Sequence, residues 1–317
     1  MKIEVLENNI RLDNYLIDKL DSSRSKIQKL IKNNSILVND KNTKSSYLVK
    51  TGDIITITDV KEESSNIEPE DIKLDIVYED EYLLVVNKPS GMVVHPGCGN
   101  RNHTLVNALM HHSKLSNLDN IRPGIVHRID AYTSGLLMVA KDDKTHRELA
   151  LKLKSNKAKR KYLALVHGVI VEDTATIDAP IGRDTKNRKK MCVTSVNSKD
   201  AITHIKVLER YIDTTFIECT LETGRTHQIR VHLSYINHPI VNDSVYGYKK
   251  QINPTFGQML HAYTLGFIHP VTHEYLEFKA EPPKEFMEIL NHYKVSKVGG
   301  SFLTPYVEND RIVDKSI

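Results

Sequence analysis

The sequence is poor in sulfur and has no long apolar run. Its three cysteines, Cys98, Cys192 and Cys219, are odd in number and far apart. They make neither a disulfide framework nor a C-x-x-C metal pair, and they point to a reducing compartment. No uninterrupted apolar stretch approaches the ~18 residues that span a bilayer. The first residues, MKIEVLENNIRLDNYL, lack the apolar segment of a secretory signal. A cytoplasmic monomer with no membrane partner is therefore expected. Also missing are a Walker loop, a G-x-G-x-x-G fingerprint and any metal-spaced cluster, so no cofactor and no metal is expected. The adjacent His111 and His112 would point in different directions on a helix and make a poor metal pair. The net charge is only +4, so the distribution of charge has to decide whether nucleic acid is a partner. A 40% apolar content over 317 residues is enough for roughly two domains with a substantial core.

Residues 10–60 read as a small separate module. Apolar residues at 12, 16, 17 and 20 form one helical stripe. Ser22–Ser25 read as a capping region, and a second helix follows with Ile27, Leu30 and Ile31 on one face. Its other face carries Lys26, Lys29 and Lys32, with Arg24 at its start. Strand-like pieces follow at 35–39 and 53–57. Between residues 10 and 50 there are nine Lys or Arg against four Asp, an excess larger than that of the whole chain. Such a face suits phosphate neutralisation; a merely solvated amphipathic face is the plainer alternative.

Residues 61–74, KEESSNIEPEDIKL, are acidic and polar and read as a linker. A second domain is expected over 75–292, and 293–317 reads as a peripheral tail with no periodic core pattern. The domain opens with two apolar runs around an acidic turn, a hairpin pattern. A tight turn at Lys88–Gly91 follows, then His95, which reads as a scaffold residue. A helix is expected over 105–112 and another over 144–154.

The stretch that organises the domain is Arg122–Lys141, RPGIVHRIDAYTSGLLMVAK. Gly124–Val126 reads as a short strand and Leu136–Ala140 as a buried one. Between them lie His127, Arg128 and Asp130, followed by the turn residues Thr133–Gly135. An acid at the edge of a core has a fixed position and a tunable charge; a surface turn that happens to hold an Asp is the alternative. Downstream, Lys152, Lys154, Lys157, Lys159, Arg160 and Lys161 fall within ten residues, and a strand beginning with Tyr162 follows. An aromatic after a basic run suits stacking on an unstacked base. Arg183–Lys190 is a second basic cluster, between strands. In Glu222–Leu233, ETGRTHQIRVHL, Thr226 is expected to cap a helix with Ile229, Leu233 and Ile236 inward. Arg225 would then stand at the helix entrance, placed to fork onto a carboxylate.

These motifs together resemble the RluA/RluD-type pseudouridine synthases. The family pattern H-R-L-D-x-x-T-S-G-L-L-hydrophobic-A-K is met at 127–141, with Ile129 for Leu and Tyr132 where an acid is frequent. K-x-Y-x-A-x-V-x-G is met at Tyr162, Ala164, Val166 and Gly168, with Arg160 for the Lys. T-G-R-x-H-Q-I-R-V-H is matched at every fixed position from Thr223. H-P-I-x-G-D-x-x-Y-G is met from His238 with Asn242 for Gly, a residue that tolerates a left-handed backbone. The first module resembles an S-four-like RNA-binding domain at Arg11–Asp13, Ser22–Lys32, Val38–Asn39 and Lys50–Asp53. The likeness covers almost everything from 10 to 290.

The resemblance implies an α+β protein. Its catalytic domain would be built on a mixed, largely antiparallel sheet flanked by helices and loops, with a small N-terminal α/β RNA-binding domain. It implies isomerisation of uridine to its carbon-glycoside isomer in RNA, with nothing added or lost. Asp130 would be the catalytic carboxylate, as nucleophile at the sugar or as a base; the sequence leaves both open. Arg225 would pair with Asp130 and hold it ionised, Tyr162 would lie against the base, and Arg128 would fill the gap left by the extruded uridine. RNA contacts are expected from Arg24, Lys26, Lys29, Lys32, Lys159, Arg160 and Lys161. The N-terminal module favours large-subunit ribosomal RNA as partner, with transfer RNA the alternative. Two rivals are weaker. A glycosidase normally needs two carboxylates, and a non-catalytic RNA-binding or assembly protein gives no reason for the Asp, Arg and Tyr to occur together.

Overall fold

A computed structural model of the chain describes residues 1–58, 67–187, 190–248 and 256–296, apart from residues 21, 23 and 98. The expected linker at 61–74 is described only from residue 67, and the tail only to residue 296.

The N-terminal unit contains β1 (Lys2–Glu4), α1 (Leu12–Leu20), α2 (Arg24–Lys32), β2 (Ile36–Val38) and β3 (Ile54–Ile57). The strands form an antiparallel sheet in the order β1-β3-β2. Leu12 and Leu16 from α1 and Ile27 and Ile31 from α2 meet Ile36, Val38, Val49 and Ile55 in a core separate from the rest. That is the i, i+4 spacing read from sequence, turned inward on a pleated face. At the start of α1, Asp13 is fully buried. It accepts hydrogen bonds from Arg11 Nε (3.0 Å) and Nη2 (2.9 Å), Arg24 Nε (3.1 Å) and Gln28 Nε2 (2.7 Å). These ties lock the two helices, and the Arg11 bonds hold the Asp13 carboxyl far below the usual carboxylate range despite its burial.

The larger unit runs through β4 (Ile76–Glu79), β5 (Leu83–Lys88), α3 (Leu105–His112), β6 (Ser134–Ala140), α4 (Asp143–Lys154), β7 (Lys159–His167), β8 (Thr174–Asp178), β9 (Ile181–Arg183), β10 (Met191–Val193), β11 (Ile202–Arg210), β12 (Thr214–Leu221), α5 (Gln228–Tyr235), β13 (Leu260–Ile268), β14 (Tyr275–Lys279) and α6 (Lys284–Ser296). Its main sheet has nine strands in the order β4-β5-β6-β13-β7-β12-β11-β8, with β14 also on β13. Only the β6–β13 pairing is parallel, so the mixed, largely antiparallel sheet expected from the sequence is present. β9 and β10 make a separate hairpin.

The period-two geometry of a strand sends alternate residues to opposite faces. Leu84 and Val86 of β5 and Leu137 and Val139 of β6 enter one core with α3 and α5. Leu83, Val85, Leu136 and Met138 enter another with Leu149 of α4. β6 is therefore buried throughout, as a central strand covered on both faces must be. At its start Gly135 has φ of 109°, and a Cβ there would run into the Ala262 backbone of β13. Only glycine allows the two strands to close up at this point.

The expected helices over 105–112 and 144–154 are present as α3 and α4, capped by Thr104 and Asp142. Two local expectations fail. Gly124–Val126 is not a strand: Gly124 has φ of 69° and Ile125 makes one isolated bridge to Val139, so the segment turns against β6. Thr226 does not cap α5. Its N-cap is His227, in a left-handed conformation with φ of 57°, and no side chain caps it. Gln228 takes over, accepting from Arg225 N at 2.9 Å and Thr223 Oγ1 at 2.8 Å. Among the described residues no helix is long and apolar enough to cross a membrane.

Candidate active site

Asp130 lies on the loop between the turn at Gly124 and β6. Its own carbonyl accepts from Thr133 N at 3.0 Å, which closes a tight turn. The next carbonyl, Ala131 O, accepts from Gly91 N at 2.9 Å and Lys88 Nζ at 2.8 Å. Lys88 is 1% exposed, and its ammonium donates to three carbonyls, those of Pro89, Met92 and Ala131, each at 2.8 Å. Burial pushes Lys88 down to about 7, with the Asp130 charge opposing; three acceptors need all three N–H groups of the charged form. Ser90 Oγ donates to Tyr132 O at 2.9 Å, and Gln258 Nε2 to Thr133 Oγ1 at 3.0 Å. The loop carrying the acid is thus pinned by the Lys88 turn on one side and by the segment before β13 on the other.

The Asp130 side chain is held from α5. Arg230 Nη1 donates to Asp130 Oδ2 at 2.8 Å. Arg230 Nε and Nη2 fork onto Asp243 Oδ2 and Oδ1 at 2.6 and 2.8 Å. Asp243 is completely buried and also accepts from the backbone N–H groups of Val245 and Tyr246. Burial pushes the Asp243 carboxyl up, but Arg230 and these amides outweigh it and bring it below its usual range. Burial likewise opposes the Arg230 charge, and its two carboxylates raise it further. Asn242, at φ of 62°, keeps the left-handed turn that aims Asp243. Arg230 also lies over the Tyr246 ring, 5.1 Å from its centroid.

Asp130 Oδ1 has no such clamp. The His227 ring stands beside it, with Nε2 3.7 Å away. Tyr246 Oη accepts from Met191 N at 2.9 Å and lies 2.8 Å from His227 Nδ1. The tyrosyl proton is thereby free to go to Nδ1, which leaves the Nε2 proton facing the carboxylate. Burial pushes His227 below its ordinary value, with Asp130 opposing, so the ring is neutral near pH 7.

Alternation along β7 sorts the basic run. Lys159 and Lys161 point to one face and pair with Glu277 (2.8 Å) and Glu218 (2.7 Å) across the sheet. Their charge is balanced within the fold. Arg160 and Tyr162 point to the other face, into a cleft of about 420 Å³ that also contains Asp130. Asp130 is the only acid among its lining residues; the cations are Arg122, Arg128, Lys154, Arg160, Arg225 and Arg230. Burial pushes the Tyr162 hydroxyl up, so it keeps its proton. Arg128 Nη1 donates to His95 Nε2 at 3.0 Å while His95 Nδ1 faces Pro96 O; His95 is the scaffold residue expected, and what it supports is Arg128.

The ion pair foreseen for Asp130 forms with a different arginine. Arg225 lines the cleft, but its Nε donates to Asp200 O at 2.8 Å, and the guanidinium on Asp130 is that of Arg230. The left-handed His227 turns the chain at the helix entrance, so the residue two places into α5 faces the acid. Lys88, His227, Asp243 and Tyr246 carried no assigned role in the sequence; the readable signal was a lysine at the junction of an apolar run and a Pro-Ser-Gly turn. In the N-terminal unit, Arg24 is tied to Asp13, Lys29 and Lys32 lie in the last turn of α2, and the side chain of Lys26 falls outside the described residues. So do Arg188 and Lys189 of the second basic cluster.

Comparison with known proteins gives a consistent result. Residues 82–235 match the family model described as RNA pseudouridylate synthase, and residues 10–55 match the S4 domain. The chain is 49% identical over 287 residues to the uncharacterized RNA pseudouridine synthase YlyB of Bacillus subtilis, covering 90% of this chain and 94% of that protein. It is 44% identical over 294 residues to the ribosomal large subunit pseudouridine synthase D of Neisseria meningitidis serogroup B, covering 89% and 78%. The solved structure of human RNA pseudouridylate synthase domain containing 1 superposes with a TM-score of 0.56 at 30% identity, covering 67% of this chain and 84% of that one.

Proposed function

The chain belongs to the RNA pseudouridylate synthase family and is an RNA pseudouridine synthase, and from that premise we propose that Asp130 carries its chemistry on an extruded uridine of large-subunit ribosomal RNA. The reaction is an isomerisation. The bond from ribose C1′ to N1 of uracil breaks, the base turns, and C1′ bonds to C5. The C5 proton leaves to solvent and N1 takes one up, so atoms and electrons balance without a co-reactant.

The observation that carries the reading is an asymmetric carboxylate. One oxygen of Asp130 is held at 2.8 Å by Arg230, and the other faces a cleft whose lining holds no second acid. Attack at C1′ and proton abstraction from the sugar both need an ionised carboxylate with one free oxygen. Arg230 fixes the orientation of the carboxylate and leaves one oxygen for the substrate. The other nearby acid, Asp243, has both oxygens on the Arg230 fork and no exposure. It cannot serve as the proton donor of a glycosidase pair. Tyr162, protonated and on the cleft wall, offers a ring face for the uracil and a hydroxyl near the reacting edge. Arg128, at the rim and braced by His95, is placed to occupy the space the uridine leaves; a flat cation stacks well there, and extrusion costs only a few kcal/mol. Large-subunit ribosomal RNA as the target rests on relatives such as the Neisseria ribosomal large subunit pseudouridine synthase D and on the S4 match.

Asp130→Asn tests the centre of this reading. Tritium release from RNA labelled at uracil C5 is expected to fall by about a thousand-fold or more, the scale for losing a nucleophile or base, with the fold intact by circular dichroism. Retained release in the variant sinks the mechanism. Pseudouridine mapping of ribosomal and transfer RNA from a strain lacking the gene identifies the target; a lost site in transfer RNA alone would replace the ribosomal assignment.

A further inference from the structure

Among the described residues the buried cation Arg160 has no acidic partner. It is 6% exposed, and its one hydrogen bond is from Nη2 to the carbonyl of Glu222 at 3.2 Å. Its Nε has no partner, one of three buried side-chain polar atoms so left among the described residues. The other buried guanidinium of the cleft, Arg230, has two carboxylates. Isolating a buried cation in this way is unfavourable, and here burial and the neighbouring Arg225 charge both press against it. Gly224 packs on the guanidinium so closely that a Cβ there would touch Nη1. The side chain is therefore held in place, in the wall of the cleft that Asp130 and Tyr162 also line.

We propose that Arg160 and Arg225 form a phosphate subsite that grips the RNA backbone next to the target nucleotide. Two guanidinia drawn together with no acid between them call for an anion, and a planar fork with free N–H groups matches the oxygens of a phosphodiester. Arg160 and Tyr162 stand two residues apart on one strand face, roughly 7 Å, within the length of a single nucleotide. A base against Tyr162 therefore brings a flanking phosphate to Arg160. The grip rests on the function proposed above. It makes Arg160 a positioning residue, one that places the ribose of the bound uridine against Asp130.

The test uses the full-length enzyme and transcripts ligated to carry one neutral methylphosphonate at each linkage around the mapped uridine. One linkage is expected to lower kcat/KM of the wild type by about 10- to 100-fold, the scale of a charge-assisted hydrogen bond. Arg160→Gln should show a comparable loss on unmodified RNA and little further loss at that linkage, whereas Arg160→Lys should recover part of the activity. Thermal melts of both variants separate a folding defect, and the wild-type linkage scan needs no variant at all. Full additivity of Arg160→Gln with every linkage, or no sensitive linkage in an active wild type, overturns the subsite. Inorganic phosphate that inhibits the wild type but not Arg160→Gln, with no sensitive linkage, assigns the site to a free anion and likewise overturns the backbone proposal. An inactive wild type would instead strike at the proposed function, so the two failures are distinguishable.

Discussion

Two carboxylates in this molecule are surrounded by guanidinium groups and yet do opposite jobs. In the N-terminal unit, Asp13 is fully buried and accepts four hydrogen bonds from Arg11, Arg24 and Gln28. Both oxygens are engaged, and the bonds from Arg24 and Gln28 tie the second helix to the first. In the cleft, Asp130 is 18% exposed and has one guanidinium on one oxygen. Charge and arginine neighbours are common to both sites. The difference lies in unused hydrogen-bonding capacity, because a saturated carboxylate is a fastener and a half-satisfied one is a reagent.

The contrast is sharpest at Asp130→Asn. Activity should collapse as stated above while the melting temperature barely moves, since only one hydrogen bond is altered. Arg230→Ala should break the contrast from the other side, because it strips the partner from both Asp130 and the fully buried Asp243. A loss of about 3–5 kcal/mol of stability is expected, together with activity, in urea melts and tritium release. Arg225→Ala, whose Nε binds only a carbonyl, should cost far less stability.

Lys88→Met strips the side-chain donor from the Pro89 and Met92 carbonyls and leaves Ala131 O, in the residue after Asp130, with only the Gly91 amide. It should cost about 2–3 kcal/mol and lower kcat more than it raises KM. Asp13→Asn should be the mirror image of Asp130→Asn. About 2 kcal/mol of stability is expected to go, less than for a wholly buried pair because Arg11 and Arg24 are 39% and 49% exposed. In the folded chain Asp13 stays unprotonated at a pH where its unfolded counterpart, near ~3.9, has taken up a proton. Its contribution is therefore complete above about pH 4 and fades as the pH drops further toward the depressed folded value. An acid titration of stability should be flatter in the variant. Smallest of all, Lys159→Gln and Lys161→Gln should change stability by less than about 1 kcal/mol, as partly exposed pairs do.

Much of this was legible in the sequence where one physical signal dominated. The stripes of Leu12 and Leu16 and of Ile27 and Ile31 gave the two N-terminal helices, whereas 159–161 read as one basic run, and only strand alternation separates Arg160 from Lys159 and Lys161. The choice between Arg225 and Arg230 was not legible. Every residue from Gln228 to Leu233 is buried, so α5 has no polar face from which its rotation could be read. Its phase is set by a left-handed histidine, and the second carboxylate on Arg230 comes from a turn thirteen residues on. The mistaken strand at 124–126 has the same origin. Three small or apolar residues look like a strand, but the backbone at Gly124 turns, and only the packing against β6 makes that necessary.

The place of β13 in the sheet has a consequence for biosynthesis. Synthesised after nearly all the other strands, it lies between β6, which follows Asp130, and β7, which carries Tyr162. A ribosome that has delivered the first 250 residues has already made the acid, its arginine and the tyrosine, but it has not made the strand that brings the two halves of the sheet side by side. The nascent chain should remain inert until residues 260–268 emerge.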